Sequence, residues 1–276
     1  MNEHTTRIVV IGGGYAGVIA ANHLQLRPDI EISLVNPRPE FVERIRLHQL
    51  VTGSDDATVA YTDVLGPRAR LVVDTATRID ITAHRVDLAD GDPLPFDYLI
   101  YAVGSGAAAP TVPGADEFGY PIADLEQAQR LAGALGAVPS DARVCVVGGG
   151  LTGIETAAEL ADQGRAVTLM CGKTLGPDLS GPGRRSVTRR LRKLGVEIVE
   201  GAPVAAVTAD AVTLADGRRL PSAVTVWTAG FGVPDLAARS GLRTDAIGRL
   251  LTDETLTSID DDRIVAAGDA AAPSGE

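Results

Sequence analysis

Residues 7–21 read RIVVIGGGYAGVIAA. An apolar β-branched run, a glycine turn and an alanine-rich stretch follow one another, and this order predicts a strand, a tight turn and a helix. A second strand is predicted at residues 31–35, and Asn-Pro-Arg-Pro at residues 36–39 ends it as a turn. The chain therefore opens with a βαβ unit, from which doubly wound α/β folds are built.

The same arrangement returns at residues 143–160, which read RVCVVGGGLTGIETAAEL. Another strand is predicted directly after it, at residues 166–170. Two copies of one strand–turn–helix unit predict two ligand sites on a single polypeptide. The sequence thus predicts an α/β protein with two Rossmann-like dinucleotide-binding domains.

The glycines of the two turns indicate a dinucleotide. In a pyrophosphate-binding turn, one glycine permits the turn, one lets the backbone approach the phosphates, and one lets the helix pack on the strand. The N–H groups at the helix start then bind the anion. One such motif is a weak indication, whereas two in the right context are a strong one. The predicted cofactor-binding residues are Gly12, Gly14, Tyr15, Ala16 and Gly17 in the first turn, and Gly148, Gly150, Leu151, Thr152 and Gly153 in the second.

Nucleotide selectivity is expected at the end of each second strand, where an acidic residue normally binds the ribose hydroxyls. The first copy has Asn36, Pro37 and Arg38 there, and the second has Cys171 followed by Lys173. Asparagine can still hydrogen-bond a ribose, and an uncharged residue beside a lysine removes the repulsion against a 2′-phosphate. NADH and NADPH both stay open as the donor, and Lys173 is equally well explained as a solvated turn residue.

Composition limits the remaining possibilities. The 276 residues suffice for two domains, and the net charge of −11 argues against nucleic acid as a partner. The two cysteines have no disulfide or metal-ligand spacing, so no metal is expected. No apolar stretch reaches the ~20 residues of a membrane span, and no signal peptide precedes residue 7, so a cytoplasmic location is expected.

The rest of the chain supplies further predicted elements. The arginine-rich helix predicted at residues 184–194 is interpreted as a helix whose basic side chains face solvent. The last strand ends in a glycine turn without the helix that such turns feed, so we expect the natural protein to extend beyond the sequence given. Strands are predicted at 71–73, 78–81, 84–88, 98–103, 197–200, 223–227 and 263–267, helices at 124–135 and 184–194, and a hairpin at 207–220.

Five motifs, in this order, resemble those of the FAD-dependent pyridine nucleotide oxidoreductases. They are IGGGYAG (11–17), YAVG (101–104), VVGGGLTGIETAAEL (146–160), WTAGF (227–231) and IVAAGDAA (264–271). The resemblance implies that the first glycine turn binds FAD and the second binds NADH or NADPH. It also implies an FAD domain at 1–110 and 231–276, an NAD(P) domain inserted at 111–230, and the absence of the family's C-terminal domain.

The same resemblance implies roles for single residues. Asp269 would bind the ribityl or phosphate region of FAD, Ala76 would receive the adenine, and Glu155 would lie near the nicotinamide or serve as a helix N-terminal acid. For His48 a flavin-proximal place and a helix-surface place both stay open, and Arg44 is either a cofactor-neutralising or a solvated side chain. The further implied cofactor contacts are Ala102, Val103, Gly104, Ala229, Gly230 and Gly268.

Residues 41–50, FVERIRLHQL, contain no cysteine where disulfide reductases of this superfamily carry their redox pair. Electron transfer from flavin to a dithiol is therefore excluded at this place. The resemblance narrows to type II NADH dehydrogenases and apoptosis-inducing-factor-like reductases. It implies a quinone or another small molecule as electron acceptor, is compatible with a homodimer, and implies attachment to the inner membrane face if a helix follows Glu276.

The predicted function is that of an FAD-dependent NAD(P)H oxidoreductase, which passes hydride to flavin and electrons to an acceptor. The cofactors carry this chemistry, so no catalytic side chain is named. One alternative is an FAD- and NAD(P)H-binding redox sensor or interaction module with little turnover. Another is an FAD monooxygenase that uses NADPH and oxygen.

Overall fold

The computed structural model describes residues 5–274 of the chain. Its α-helices are α1 (Tyr15–Leu24), α2 (Leu47–Thr52), α3 (Tyr61–Val64), α4 (Ala115–Phe118), α5 (Leu125–Gly136), α6 (Leu151–Asp162), α7 (Gly181–Lys193) and α8 (Leu236–Arg239), with 3-10 turns at Arg44–Arg46 and Gly268–Ala270. Its strands are β1 (Thr6–Ile11), β2 (Ile30–Asn36), β3 (Glu40–Val42), β4 (Thr58–Ala60), β5 (Ala69–Val73), β6 (Ala76–Asp80), β7 (Arg85–Leu88), β8 (Leu94–Pro95), β9 (Tyr98–Tyr101), β10 (Gly119–Pro121), β11 (Val144–Val147), β12 (Val167–Met170), β13 (Glu197–Val199), β14 (Val204–Thr208), β15 (Ala211–Leu214), β16 (Arg219–Pro221), β17 (Val224–Trp227), β18 (Leu250–Thr252), β19 (Ile264–Ala266) and β20 (Ala271–Pro273).

The first of two compact units is built around a five-stranded parallel sheet in the order β19-β9-β1-β2-β5. Its central strand is buried on both faces, as its unbroken apolar sequence predicts. Ile8 and Val10 pack on one face with Val18 and Ala21 of α1. The opposite face of β1 joins a second core cluster with β6 and β7.

The second unit repeats this design with the parallel order β10-β17-β11-β12-β13. One face of its sheet shares a core cluster with the antiparallel sheet β14-β15-β16, in which Cys145 and Val147 lie with Val207 and Val212. Burial raises the pKa of the Cys145 thiol. The two parallel sheets confirm the predicted α/β fold class.

The limits of the two units differ from the predicted domain limits at residues 44–57 and 107–110. The first unit holds the chain up to Glu43, Thr58–Gly106 and the chain from Phe231 onward, whereas the second holds Arg44–Ala57 and Ala107–Gly230. Residues 44–57, which were predicted in the first domain, belong to the second unit because α2 packs against α5 and α6. The ladder of β3 with β4 joins the chain on either side of this segment.

Several predicted elements end at other residues than expected. The strand predicted at 98–103 ends at Tyr101, because Gly104 turns the chain with a positive φ of 69°. The hairpin predicted at 207–220 is a meander of three strands, β14 to β16. The last predicted strand lies at a sheet edge, and β20 after it pairs with β18 in a small parallel sheet that was not predicted.

Candidate functional site

Two glycines of the first turn are required by the packing of the backbone itself. Gly12 follows β1 with a φ of +104°, a conformation that L-residues rarely adopt. A Cβ at Gly12 would overlap the carbonyl oxygen of Ala102, and a Cβ at Gly17 would overlap the carbonyl oxygen of Gly12. These two positions therefore hold the turn against β9 and the helix against the turn.

Gly14 is different, because nothing in the described chain explains why it lacks a side chain. Its φ of −79° and ψ of −167° are open to any residue. Among residues 5–274, no heavy atom other than its chain neighbours lies within 4 Å of a Cβ built there. The missing side chain leaves free space directly in front of α1.

The second turn repeats this division of roles. Gly148 has a φ of +127°, and a Cβ on it would overlap the hydroxyl oxygen of Thr228. A Cβ at Gly153 would overlap the carbonyl oxygen of Gly148. Gly150 has extended backbone, and a Cβ on it would meet no described atom within 4 Å. Both turns thus contain glycines that the packing requires and one glycine, Gly14 or Gly150, that opens to space.

The two helices that begin at these turns start differently from α5 and α7. No described side chain caps α1 or α6, and the first turn of each lacks Asp and Glu. By contrast, Asp124 accepts a hydrogen bond at the start of α5, and Ser180 does so at α7. Uncapped N–H groups and the helix dipole favour an anion in the space before α1 and α6.

Two side chains hold the middle of the first turn. The N–H of Gly13 donates to Oδ1 of Asn36 at 3.0 Å, and the Asn36 amide donates to the carbonyl of Arg38 at 2.9 Å. The Tyr61 hydroxyl donates to the carbonyl of Gly13 at 2.7 Å, and burial raises the pKa of Tyr61 to about 12. Asn36, a predicted ribose ligand, thus also fixes the turn, and Tyr61 is a residue that the sequence did not indicate.

Cys171 and Thr228 hold the second turn. A Cβ at Gly149 would lie 2.7 Å from the Cβ of Cys171, so this cysteine packs directly behind the turn. Burial, with the charge of Glu200 second, raises the pKa of the Cys171 thiol to about 12. The Thr228 hydroxyl donates to the carbonyl of Val147 at 2.9 Å, which brings the WTAG motif against the second turn. Lys173 is exposed.

Three predicted motifs meet in the first unit. The carbonyl of Ala102 packs on Gly12, and a Cβ at Gly268 would lie 3.1 Å from the Cβ of Ala16. The hydroxyl of Ser105, which was not predicted, donates to Oδ2 of Asp269 at 2.6 Å. The first turn, YAVG and the GD motif therefore come together, whereas Ala76 begins β6 and packs on the core cluster.

The structure places the predicted residues Arg44 and His48 in the second unit. Nε of Arg44 donates to the carbonyl of Ala123 at 3.2 Å. Nδ1 of His48, in helix α2, lies 4.0 Å from Oε2 of the exposed Glu155 on α6. One turn further along α6, the Ser54 hydroxyl donates to Oε1 of Glu159 at 2.7 Å. The segment 44–57 is thus fastened to the helix that follows the second turn.

Within residues 5–274, no three His, Cys, Asp or Glu side chains are grouped so that they could hold a metal ion. The helices of this range are also too short, or too polar, to cross a bilayer.

Comparison with known proteins identifies relatives over nearly the whole chain. A NADH dehydrogenase-like protein of Mycobacterium tuberculosis is 34% identical over 97% of this chain and 73% of its own length. The demethylphylloquinone reductase NdbB of Synechocystis is 30% identical over 98% of this chain and 73% of its own. NDH2 of Plasmodium falciparum, solved in complex with NADH, superposes with a TM-score of 0.84 at 19% identity, over 98% of this chain and 65% of that one.

The chain spans less than two thirds of that solved protein, and at this identity the similarity shows a shared fold alone. The family model described as pyridine nucleotide-disulphide oxidoreductase matches residues 6–276. This match and the mycobacterial relative confirm the resemblance inferred from the five motifs, the class of flavin-dependent oxidoreductases, and FAD with NADH as the cofactors of that class. The chain belongs to the pyridine nucleotide-disulphide oxidoreductase family.

Proposed function

We propose that this chain is the FAD- and nucleotide-binding body of an NADH dehydrogenase that reduces a quinone. In the overall reaction, NADH, one proton and the quinone become NAD⁺ and a quinol. The observation that carries the proposal is the pair of turns in which Gly14 and Gly150 open to free space before uncapped helices. Two such anion sites suit two pyrophosphates.

The first turn is assigned to FAD and the second to the pyridine nucleotide. The contacts of the first turn with Ala102 and Gly268, and the hydrogen bond from Ser105 to Asp269, support a single site in the first unit. FAD, when bound, would supply the hydride acceptor and a redox group able to release electrons singly or in pairs. The Asp269 carboxylate would accept hydrogen bonds from hydroxyl groups of the ribityl chain.

In the second unit, the N–H groups at the start of α6 would hold the pyrophosphate of the nucleotide. Glu155, exposed one turn into α6 beside His48, would face the nicotinamide half. The chain's part in the hydride step is to bind and orient the reactants, so no side-chain acid or base is assigned to that step. Hydride transfer between two bound cofactors needs one unit that binds FAD and one that binds NADH. The two turns suggest such a division.

A quinone is the proposed acceptor because residues 41–50 carry no thiol that could take the electrons instead. The name of the Synechocystis relative, a demethylphylloquinone reductase, supports the same acceptor. Quinones dissolve in the bilayer, so we place the protein at the cytoplasmic membrane surface as a peripheral protein. The homodimer remains a prediction.

The proposal is tested with the purified chain after reconstitution with FAD. We expect a flavin absorption band, its bleaching when NADH is added without oxygen, and its return when a soluble quinone is added. A chain that binds no FAD, or a bound flavin that NADH cannot bleach, contradicts the proposal. Bleaching by NADH without return on quinone addition rejects the quinone alone and favours a redox sensor.

A further inference from the structure

The family's usual ribose-binding acid is missing from the second unit, and a neighbouring strand supplies one. In a Rossmann fold the acid stands at the end of the second strand, which is β12 here. That position is Cys171, which is 9% exposed and packs behind Gly149. A neutral thiol in this place cannot form the charge-assisted hydrogen bond that a ribose hydroxyl makes with a carboxylate.

Glu200 stands beside Cys171 at the same edge of the sheet. In the parallel register of β12 with β13, Met170 is the partner of Val199, so the residues that follow them are level. The N–H of Cys171 donates to the carbonyl of Val199 at 2.9 Å, which continues the ladder. Adjacent strands are about 4.8 Å apart, and level residues point to the same face. The Glu200 carboxylate therefore lies one strand away from the position of the usual acid, on the same face of the sheet.

The hydrogen bonds of Glu200 leave half of its carboxylate available. Oε1 accepts from the N–H of Leu175 at 2.7 Å and from the hydroxyl of Thr174 at 3.2 Å. In the part of the chain that the structure describes, Oε2 has no hydrogen-bond or ion-pair partner, and Glu200 is exposed. The isolated bridge between Gly172 and Ala202 brings the two strand ends together. The loop after β12 thus folds around this carboxylate.

We propose that Glu200 binds the ribose hydroxyls of NADH and excludes the 2′-phosphate of NADPH. The inference rests on the proposed function, since it takes the second turn as the pyridine-nucleotide site. Free Oε2 would accept from a ribose hydroxyl, and its charge would repel a 2′-phosphate at the same place. The alternative is that exposed Lys173 attracts the 2′-phosphate, which would make NADPH the preferred donor.

Calorimetric titration of the full chain with ADP-ribose and with 2′-phospho-ADP-ribose separates these outcomes without the flavin or the acceptor. We expect ADP-ribose to bind at least about tenfold more tightly. Glu200→Gln keeps the acceptor oxygen for Thr174 and Leu175 and removes only the charge, so it should reduce that preference about tenfold. Asp178→Asn, on the same loop, should leave the preference unchanged within about twofold because its carboxylate is solvated.

Three results would overturn the inference. They are a wild-type preference for the phosphorylated ligand, an unchanged preference in Glu200→Gln, or a preference that disappears in Lys173→Gln instead. Thr174→Val is the control for disorder of the loop. A disordered loop should weaken the binding of both ligands alike and leave the ratio of their affinities unchanged. If NADH bleaches bound FAD although Glu200→Gln has no effect, this inference fails and the proposed function stands. If neither ligand binds to the wild type, both fail.

Discussion

At the scale of single residues, each turn contains glycines that the packing of the fold requires and one glycine whose absent side chain would meet no described atom. Gly12 and Gly17 are held by contacts with carbonyl oxygens, whereas Gly14 meets no described atom. The same holds for Gly148 and Gly153 against Gly150. Substitutions can therefore separate loss of binding from loss of folding.

Gly14→Ala is expected to preserve the fold and weaken FAD binding. The extended backbone at Gly14 accepts alanine, so the melting temperature should change by no more than about 2 °C. The added methyl group would occupy the space of the pyrophosphate and lower the FAD affinity about tenfold or more. Gly12→Ala is the control, since its φ of +104° should cost stability as well. Unchanged FAD affinity in a fluorescence titration of Gly14→Ala would contradict this account.

The burial of two tyrosines predicts that the folded state loses stability at alkaline pH. Burial raises the pKa of Tyr61 and of Tyr101 to about 12, above the value of about 10 in an unfolded chain. Because the folded state keeps these protons longer, stability is intact below about pH 10 and falls as pH rises toward 12. The urea midpoint should fall between about pH 8 and pH 11. Tyr61→Phe should flatten that pH dependence, and it should lower the free energy of unfolding at pH 8 by about 1 kcal/mol. A wild-type midpoint that stays level to pH 11 would count against this assignment.

The glycines were predictable from sequence because their spacing is local. Tyr61 was not, since it lies 48 positions from the carbonyl that it hydrogen-bonds. Ser105 and Asp269 are 164 positions apart, and Thr228 and Val147 are 81 apart. Such partners become visible only once strands far apart in sequence are placed side by side.

At the scale of elements, the two helices that follow the glycine turns start differently from α5 and α7. Asp124 and Ser180 cap the starts of α5 and α7, whereas no described side chain caps the start of α1 or of α6. A negative charge in a first turn normally stabilises a helix by about 0.3–1 kcal/mol. In the first turn of α6, a negative charge should instead weaken the binding of the nucleotide, because it repels the pyrophosphate.

Thr152→Glu is therefore expected to raise the KM for NADH about tenfold without lowering the melting temperature. Thr152 is exposed in the first turn of α6, so the new carboxylate is tolerated and repels the pyrophosphate. Asp124→Ala should show the opposite pattern, with about 1 kcal/mol less stability and an unchanged KM. Steady-state kinetics and urea unfolding distinguish them; equal effects of the two variants on KM would refute the anion site.

The sheet strands were predictable because a run such as Ile8–Ile11 is apolar on both faces. Shorter elements were not. Strands β18 and β20 have three residues each, and together they form a sheet of two strands. The predicted hairpin at 207–220 contains a second turn, where Thr208 donates to the Asp210 side chain. The sequence shows the glycine of one turn and gives little sign of the other.

At the scale of the whole molecule, residues 44–57 join a unit from which they are remote in sequence. Leu47 and Val51 are buried, at 2% and 5% exposure, where α2 packs on α5 and α6. Local sequence assigned this segment to the flanking domain, because nothing in FVERIRLHQL points to helices about 80 or 110 positions away. The domain limits at Gly106 and Gly230 lie next to conspicuous glycine motifs, whereas the limits of the segment 44–57 do not.

Leu47→Ala should therefore lower the free energy of unfolding by about 2–4 kcal/mol, because it opens a cavity against α5 and α6. Ile45→Ala is the matched control from the same segment. Its side chain is 67% exposed, so it should cost less than about 0.5 kcal/mol. Chemical denaturation of both variants measures the difference, and similar costs would mean that the segment is not docked as described.

The position of Trp227 has a practical consequence. It is the chain's single tryptophan, it is buried, and it is the cross-strand partner of Val147, the residue that precedes the second glycine turn. Dihydronicotinamide absorbs in the wavelength range where indole emits, so a bound NADH would take up excitation energy from this one ring. The fluorescence of Trp227 would therefore report nucleotide binding in real time, without a dye or label.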